Sequence, residues 1–262
     1  MIIGMADELR QIRFPQERHR RMAALLAERG HLTIGELTAH FGVSGPTARR
    51  DLSVLSRAGL AARTHGGAMA PGRGTPDEPL FLEKLRLHDA AKARIGMAAA
   101  AEVPDGSTVL LDSGTTALAT ARALAGRDLR VVATDLKVAE AAAAGATRVM
   151  LVGGEVRNGY YSIVGAWARA ILAGLTCDVL VLAADAIDRD GISNSTAEEA
   201  EVKQAAIACA GRTILVADHS KLGRRAPVPV CGLEAVDLFI TDRRAASRLD
   251  PYRAAVAAIQ VV

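Results

Sequence analysis

The sequence predicts an α/β protein: an N-terminal winged helix-turn-helix followed by an open, mostly parallel α/β domain. Three observations predict it. From Ser107 onward, short continuous apolar runs alternate with Ala-rich helical stretches, the pattern of a parallel sheet covered on both faces. Between Val43 and Ala68, a capped helix with an apolar back and an Arg-bearing front follows a shorter helix and a Gly-containing turn. Between these regions, Pro71–Pro79 (PGRGTPDEP) holds three Pro and two Gly in nine residues, the composition of a hinge. The expected divisions are 15–70, 71–80 and 81–262.

Met1–Phe14 precedes the first predicted element. Met1–Met5 is apolar but too short for a signal-peptide core, and Asp7, Glu8 and Arg10 follow at once, so a cytoplasmic location is expected. Pro15–Glu28 reads as a helix with Met22, Leu25 and Leu26 buried and Arg18, Arg20 and Arg21 on its wet face. Gly30 stops it. Thr33–Phe41 carries Ile34, Leu37 and Phe41 at helical spacing, and Gly42 closes it.

Ser44 is placed to cap the next helix, and Pro46 falls in its first turn, where a missing N–H costs nothing. Ala48, Leu52, Leu55 and Leu60 are expected to face inward. Thr47, Arg49, Arg50, Ser53 and Arg57 are left outside or on the flanks. An Arg pair on a helix is ordinarily a solvated face. With the cap, the preceding helix and the turn, it instead fits the major groove of DNA, where guanine O6 and N7 accept a bidentate Arg. Gly59 can end this helix as a left-handed cap, Leu60–Arg63 can form a strand, and His65-Gly66-Gly67 a tight turn. His65 is either a loop histidine with no role or a wing tip reaching a phosphate or the minor groove.

Phe81–Val103 reads as one helix, with Leu85, Ala91, Ile95 and Ala99 on its packed side. Strands follow at 108–112, 130–135, 148–154, 178–185, 212–218 and 237–242. Ligands of such sheets bind beyond the carboxyl ends of the strands, and polar and Gly residues collect there. Asp112-Ser113-Gly114-Thr115-Thr116 opens a helix and can cradle a phosphate on its N–H groups. Thr134 and Asp135 end the second strand. Gly153 and Gly154 end the third, with Arg157 beyond. Asp185 ends the fourth strand, and Asp218 the fifth, with Ser220 and Lys221 after it. Taken singly, each is explained by a capped turn. Lys203 stands four residues after Glu199, which predicts a surface ion pair; if their helix starts at the strand-end face, Lys203 reaches an anionic ligand instead.

Net charge is only +3. Residues 1–72 hold ten Arg and no Lys against six Asp and Glu, an excess of +4, while the remainder holds 22 basic and 23 acidic residues. The positive excess therefore sits with the predicted DNA reader. It is small for phosphate neutralisation by a single chain, which favours a homodimer or homotetramer reading paired half-sites. Cys177, Cys209 and Cys231 are scattered and the six His show no ligand spacing, so no metal or cofactor is predicted and the thiols are expected to be buried. No run is long and charge-free enough to span a membrane.

The string VSGPTARRDLSVLSRAGLAARTHGGA (43–68) resembles the winged helix-turn-helix of the DeoR family of bacterial transcription regulators. By that resemblance Arg63, His65 and Gly66 join the DNA-contacting set. Ala48 stands where the family usually carries a larger aliphatic. DSGTT, GGEVR, the D-x-x-x-S-x-x-x-x-E-A-x-x-K-like segment that ends at Lys203, and ADHSK are similar to that family's sensor domain, so the match covers nearly the whole chain beyond Phe14. The resemblance implies a fold like that of ribose-phosphate isomerases and a phosphorylated sugar or related metabolite as effector. It implies a site drawn from Asp112, Ser113, Gly114, Thr115, Thr116, Thr134, Gly153, Gly154, Arg157, Asp185, Lys203 and Lys221. Asp135 departs from the family's usual Asn. The expected function is a DNA-binding transcription regulator, a repressor of carbohydrate genes released from a double-stranded operator by its effector, and not an enzyme. Two other readings fit the residues: a sugar-phosphate isomerase using Asp112, Asp185 and Lys203 for acid–base work, and an architectural DNA binder whose α/β part only oligomerises.

Overall fold

Met22 and Leu26 of α1 (Pro15–Arg29) meet Leu37 and Phe41 of α2 (Ile34–Phe41) and Ala48, Leu52 and Leu55 of α3 (Gly45–Arg57) in one small core. In this computed structural model, residues 15–58, 60–64, 66–69, 78–145 and 148–262 are described. They divide into two units between Glu83 and Lys84.

Local signals set the helices of the first unit. Thr33 and Glu36 form a reciprocal capping box: the Thr33 hydroxyl accepts the Glu36 N–H at 3.1 Å, and the Glu36 carboxylate accepts the Thr33 N–H at 2.7 Å. Gly42, at φ 62°, ends α2. Ser44 accepts the Thr47 N–H at 3.3 Å, and a Pro in the first turn starts α3 as expected. Strands β1 (His31–Thr33), β2 (Ala62–Thr64) and β3 (Gly67–Met69) form an antiparallel sheet in the order β1-β3-β2. β1 was not legible in the sequence. Gly67 is required there, because a Cβ would lie 2.0 Å from the Leu32 carbonyl oxygen. Leu60 does not face inward: its N–H closes α3 on the Leu55 carbonyl, its side chain is half exposed, and Ala61 takes the buried place. Gly59, His65 and most of the predicted hinge (71–77) lie outside the described residues, as does the side chain of Arg63.

The predicted helix over 81–103 is two helices. His88 adopts a left-handed φ of 56° between α4 (Phe81–Arg86) and α5 (Asp89–Ala101). The Lys92 ammonium stabilises the break by donating to the carbonyls of Leu87, at 2.7 Å, and Lys84. Next come β4 (Thr108–Leu111), α6 (Thr115–Leu124), β5 (Arg130–Ala133), α7 (Leu136–Ala143) and β6 (Arg148–Leu151). A short hairpin, β7 (Glu155–Val156) and β8 (Ile163–Val164), leads to α8 (Ala166–Ala173). Then follow β9 (Cys177–Ala183), β10 (Ala186–Asp188), β11 (Gly191–Asn194), α9 (Ala197–Ala208), β12 (Ala210–Val216), β13 (Val228–Cys231), β14 (Leu238–Thr241) and β15 (Ile259–Val261).

Seven strands pair in the order β15-β14-β12-β9-β4-β5-β6, every pair parallel. Val109, Leu110 and Leu111, or Val179 through Leu182, are buried in succession, so the middle of the sheet is covered on both faces. β10, β11 and β13 make a second, antiparallel sheet that periodicity did not reveal. Cys177 is buried and Cys209 and Cys231 half-buried. Burial pushes the thiols up, Cys177 to about 12 and Cys231 to about 11, which keeps them protonated.

Candidate nucleic-acid interface and ligand site

The outer face of α3 carries Arg49, Arg50 and Arg57, all exposed, with Thr47 and Ser53 half-buried between them. Ser44 lies exposed at its start and Gly66 half-buried in the β2–β3 turn. The Ser53 hydroxyl donates to the Arg49 carbonyl at 2.8 Å. The helix's one acid points the other way. Asp51 is buried and takes two bonds from Arg18, Nε at 2.6 Å and Nη2 at 3.0 Å, while His19 Nε2 lies 2.8 Å from its second oxygen. Burial alone would raise the Asp51 carboxyl, but Arg18 and His19 outweigh it and hold it below the usual range. Arg18 is thus not on the wet face of α1. It neutralises Asp51 inside the unit, so the groove-sized face of α3 presents cations only.

In the second unit, five successive strands, β14, β12, β9, β4 and β5, release an aspartate at or just past their carboxyl ends: Asp242, Asp218, Asp185, Asp112 and Asp135. Three of them are caps. Asp242 accepts the His219 and Arg244 N–H groups, Asp218 that of Ser220, and Asp135 those of Lys137 and Val138. The other two hold lysines. Asp112 pairs with Lys203, which also donates to the Ala183 carbonyl at 3.1 Å, and Asp112 accepts the Ala183 N–H at 3.0 Å. Asp185 accepts Lys84 Nζ at 3.0 Å and the Ser195 hydroxyl at 2.7 Å.

The spacing of Glu199 and Lys203 produces no surface pair. Both side chains are buried, and each finds a distant partner: Lys203 takes Asp112, and Glu199 takes Arg157 at 2.6 Å, the Ser162 hydroxyl at 2.5 Å and the Asn194 amide at 2.5 Å. Burial opposes ionisation of Lys203, Glu199 and Asp185. In each, opposite charges win: Asp112 and Glu199 raise Lys203, Arg157 lowers Glu199, and Lys84 and Lys221 lower Asp185. Tyr160, buried on the hairpin, has Arg157 over its ring at 4.2 Å and Lys84 at 5.6 Å. Lys221 makes no ion pair within 4.0 Å among the described residues; burial and nearby Lys84 push its ammonium down.

The DSGTT turn opens α6 as read. Gly114, at φ 111°, is its N-cap, no side chain caps the first turn, and Thr115 and Thr116 are buried. One donor of this cradle is occupied, since the Gly114 N–H donates to Asp135 at 3.2 Å. Burial raises Asp135 to about 6, against three N–H bonds, and Asp112 adds to the rise. Gly153 and Gly154 remain exposed and do not join this cluster. Gly154 serves packing instead: a Cβ there would lie 2.6 Å from the Val164 carbonyl oxygen. Lys84, Tyr160, Ser195 and Glu199 complete the group. Lys84 and Tyr160 lie on a broken helix and an irregular hairpin, where periodicity carries no signal.

A winged reader on one unit and charged groups gathered at the strand ends of an α/β sheet on the other define the class of one-chain transcription regulators. Residues 18–73 match the DeoR-like helix-turn-helix domain, and residues 87–243 the DeoR C terminal sensor domain. The chain is 38% identical over 231 residues to the transcriptional repressor AccR of Agrobacterium fabrum, spanning 87% of this chain and 89% of that one. It is 34% identical to the glycerol-3-phosphate regulon repressor of Escherichia coli, spanning 86% and 90%. Among solved structures it is similar to ribose 5 phosphate isomerase A from Neisseria gonorrhoeae, with a TM-score of 0.39 and 17% identity over 51% of this chain and 53% of that one. The chain belongs to the DeoR family and is a DNA-binding transcription regulator. No helix among the described residues is long and apolar enough to cross a membrane.

Proposed function

We propose that this regulator is a cytoplasmic repressor of carbohydrate genes, bound to a double-stranded operator as a homo-oligomer and released by a phosphorylated sugar or polyol. The observation that carries the reading is the one-sided charge of α3. Arg49, Arg50 and Arg57 face outward while Asp51 is neutralised behind them by Arg18. In this assignment Thr47, Arg49 and Arg50 read base edges. Ser44, Ser53, Arg57, Arg63, His65 and Gly66 lie against the phosphates, which position the protein without specifying sequence.

The effector reading rests on the strand ends. Lys84, Lys221 and the uncapped first turn of α6 offer positive charge to a phosphate. Thr134 Oγ1, Asn194 Oδ1 and Thr196 Oγ1 are buried polar atoms without a hydrogen-bond partner among the described residues, and such atoms are nearly always satisfied in native proteins. They suit the hydroxyls of a polyol. Asp112 and Lys203 hold each other and serve to position the site. Relatives whose names describe repressors, rather than enzymes, support the regulator over the isomerase reading.

The test is thermal unfolding of the full chain against phosphorylated sugars and polyols. A ligand at a hundredfold excess over its Kd adds about 2.7 kcal/mol to the native state. The shift should be lost in Lys221→Met and weakened in Lys84→Met. A panel without any shift would remove the phosphorylated-effector reading and leave DNA binding standing.

A further inference from the structure

We infer that the outer edge of β6, with the exposed face of α8 beside it, is where two copies of this chain pair. β6 reads in the sequence as a buried apolar strand, yet Arg148, Met150 and Leu151 are exposed and Val149 is half-buried. A parallel strand is normally covered on both faces. β6 is bonded on one side only, to β5, and its other side makes no backbone hydrogen bond among the described residues. Natural edge strands are protected by charge, proline or a bulge. This one has Arg148 alone.

The apolar surface continues past the strand. Leu151 and Gly153 share one flank by strand alternation, and a Cβ on Gly153 would touch Ile171 Cδ1 at 3.4 Å. On α8, Ala168 and Leu172 are buried, while Trp167 and Ile171, one turn apart, point outward. Trp167 is the chain's only tryptophan and is 78% exposed. Large exposed aromatics beside aliphatics mark interaction sites.

A second copy is the occupant that fits. An open strand edge is self-complementary about a two-fold axis: each N–H and C=O that one β6 offers is met by the same set on its mate, run antiparallel. The rim has both signs: Arg169 and Glu201 pair within the chain at 3.1 Å, and exposed Arg148 and Glu155 are left to pair across two identical faces. Two readers per assembly also supply the phosphate contacts that an excess of +4 on one N-terminal region does not.

The test uses the full chain, with sedimentation velocity to count subunits and the emission of Trp167 to report the surface. The expected result is an even-numbered assembly in which Trp167 emits to the blue and resists acrylamide several-fold better than in the dissociated chain. Leu151→Lys, or Met150→Lys, should yield a monomer with red-shifted emission and an unchanged circular dichroism spectrum. A monomeric wild type would overturn the inference. So would an assembly in which Trp167 quenches as freely as a solvated indole, and that outcome needs no variant.

Discussion

The two units treat buried charge in opposite ways. In the reader, Arg18 and Asp51 are paired behind α3, and the outer face of that helix, proposed to meet DNA, is left with exposed arginines and no acid. In the sensor, buried and half-buried charges are packed into the candidate site itself: Asp112 against Lys203, both buried, half-buried Asp185 against half-buried Lys84, and buried Glu199 against half-buried Arg157. A surface that recognises a polyanion of fixed shape needs outward cations and a neutral interior. A pocket that recognises a small anion needs cations held in place, and carboxylates hold them at the cost of competing for them. Substitutions should therefore separate structure from function cleanly in the reader and poorly in the sensor.

The largest expected effects break buried pairs. Asp51→Ala strands a buried guanidinium and should destabilise the reader by about 3–5 kcal/mol in urea unfolding. Lys203→Met should cost the sensor about as much. The double variant Asp112→Asn with Lys203→Met should recover part of that loss, because neither charge is then left unpaired. Full additivity of the two substitutions would show that the pair is not coupled.

A pH effect of intermediate size sharpens the contrast. The folded-state value of Asp135 lies near 6, above the roughly 3.9 of an unfolded Asp, so its ionised form disfavours the native state. Its contribution to stability should rise as pH falls through 6 toward 4, by at most about 1.4 kcal/mol per pH unit. Asp185 and Glu199 are lowered, so the stability they contribute is lost only below about 4. Unfolding followed from pH 7.5 to 4.5 should show the rise in wild type and a flatter line in Asp135→Asn. The smallest effect is the α3 cap: Ser44→Ala removes one bond to the Thr47 N–H and should cost about 1 kcal/mol.

What the sequence disclosed was local. Ser44, Gly42 and the continuous apolar runs of the central strands follow from contacts within a few residues, and they were readable; the capping box of Thr33 with Glu36 is as local but was not read. Arg18 was misplaced because helical periodicity sees α1 alone, whereas its partner sits 33 positions away. Lys203 and Glu199 stand four apart on α9, yet their partners come from β4 and the β7–β8 hairpin. The break at His88 carries no Pro or Gly to announce it; the Lys92 ammonium, bonded to two carbonyls, holds it. β6 was read correctly as apolar, but whether a sheet edge is covered is not decided within one chain.

In the proposed assignment Arg49 and Arg50 read DNA, while Arg18 only keeps Asp51 neutral. The most direct measurement is selection of duplexes from a random-sequence pool by the full chain and by Arg49→Ala with Arg50→Ala. Wild type should enrich a sequence carrying two half-sites. The double variant should melt at the same temperature and enrich nothing. Recovery of the same sequence by the double variant, at comparable enrichment, would contradict the claim.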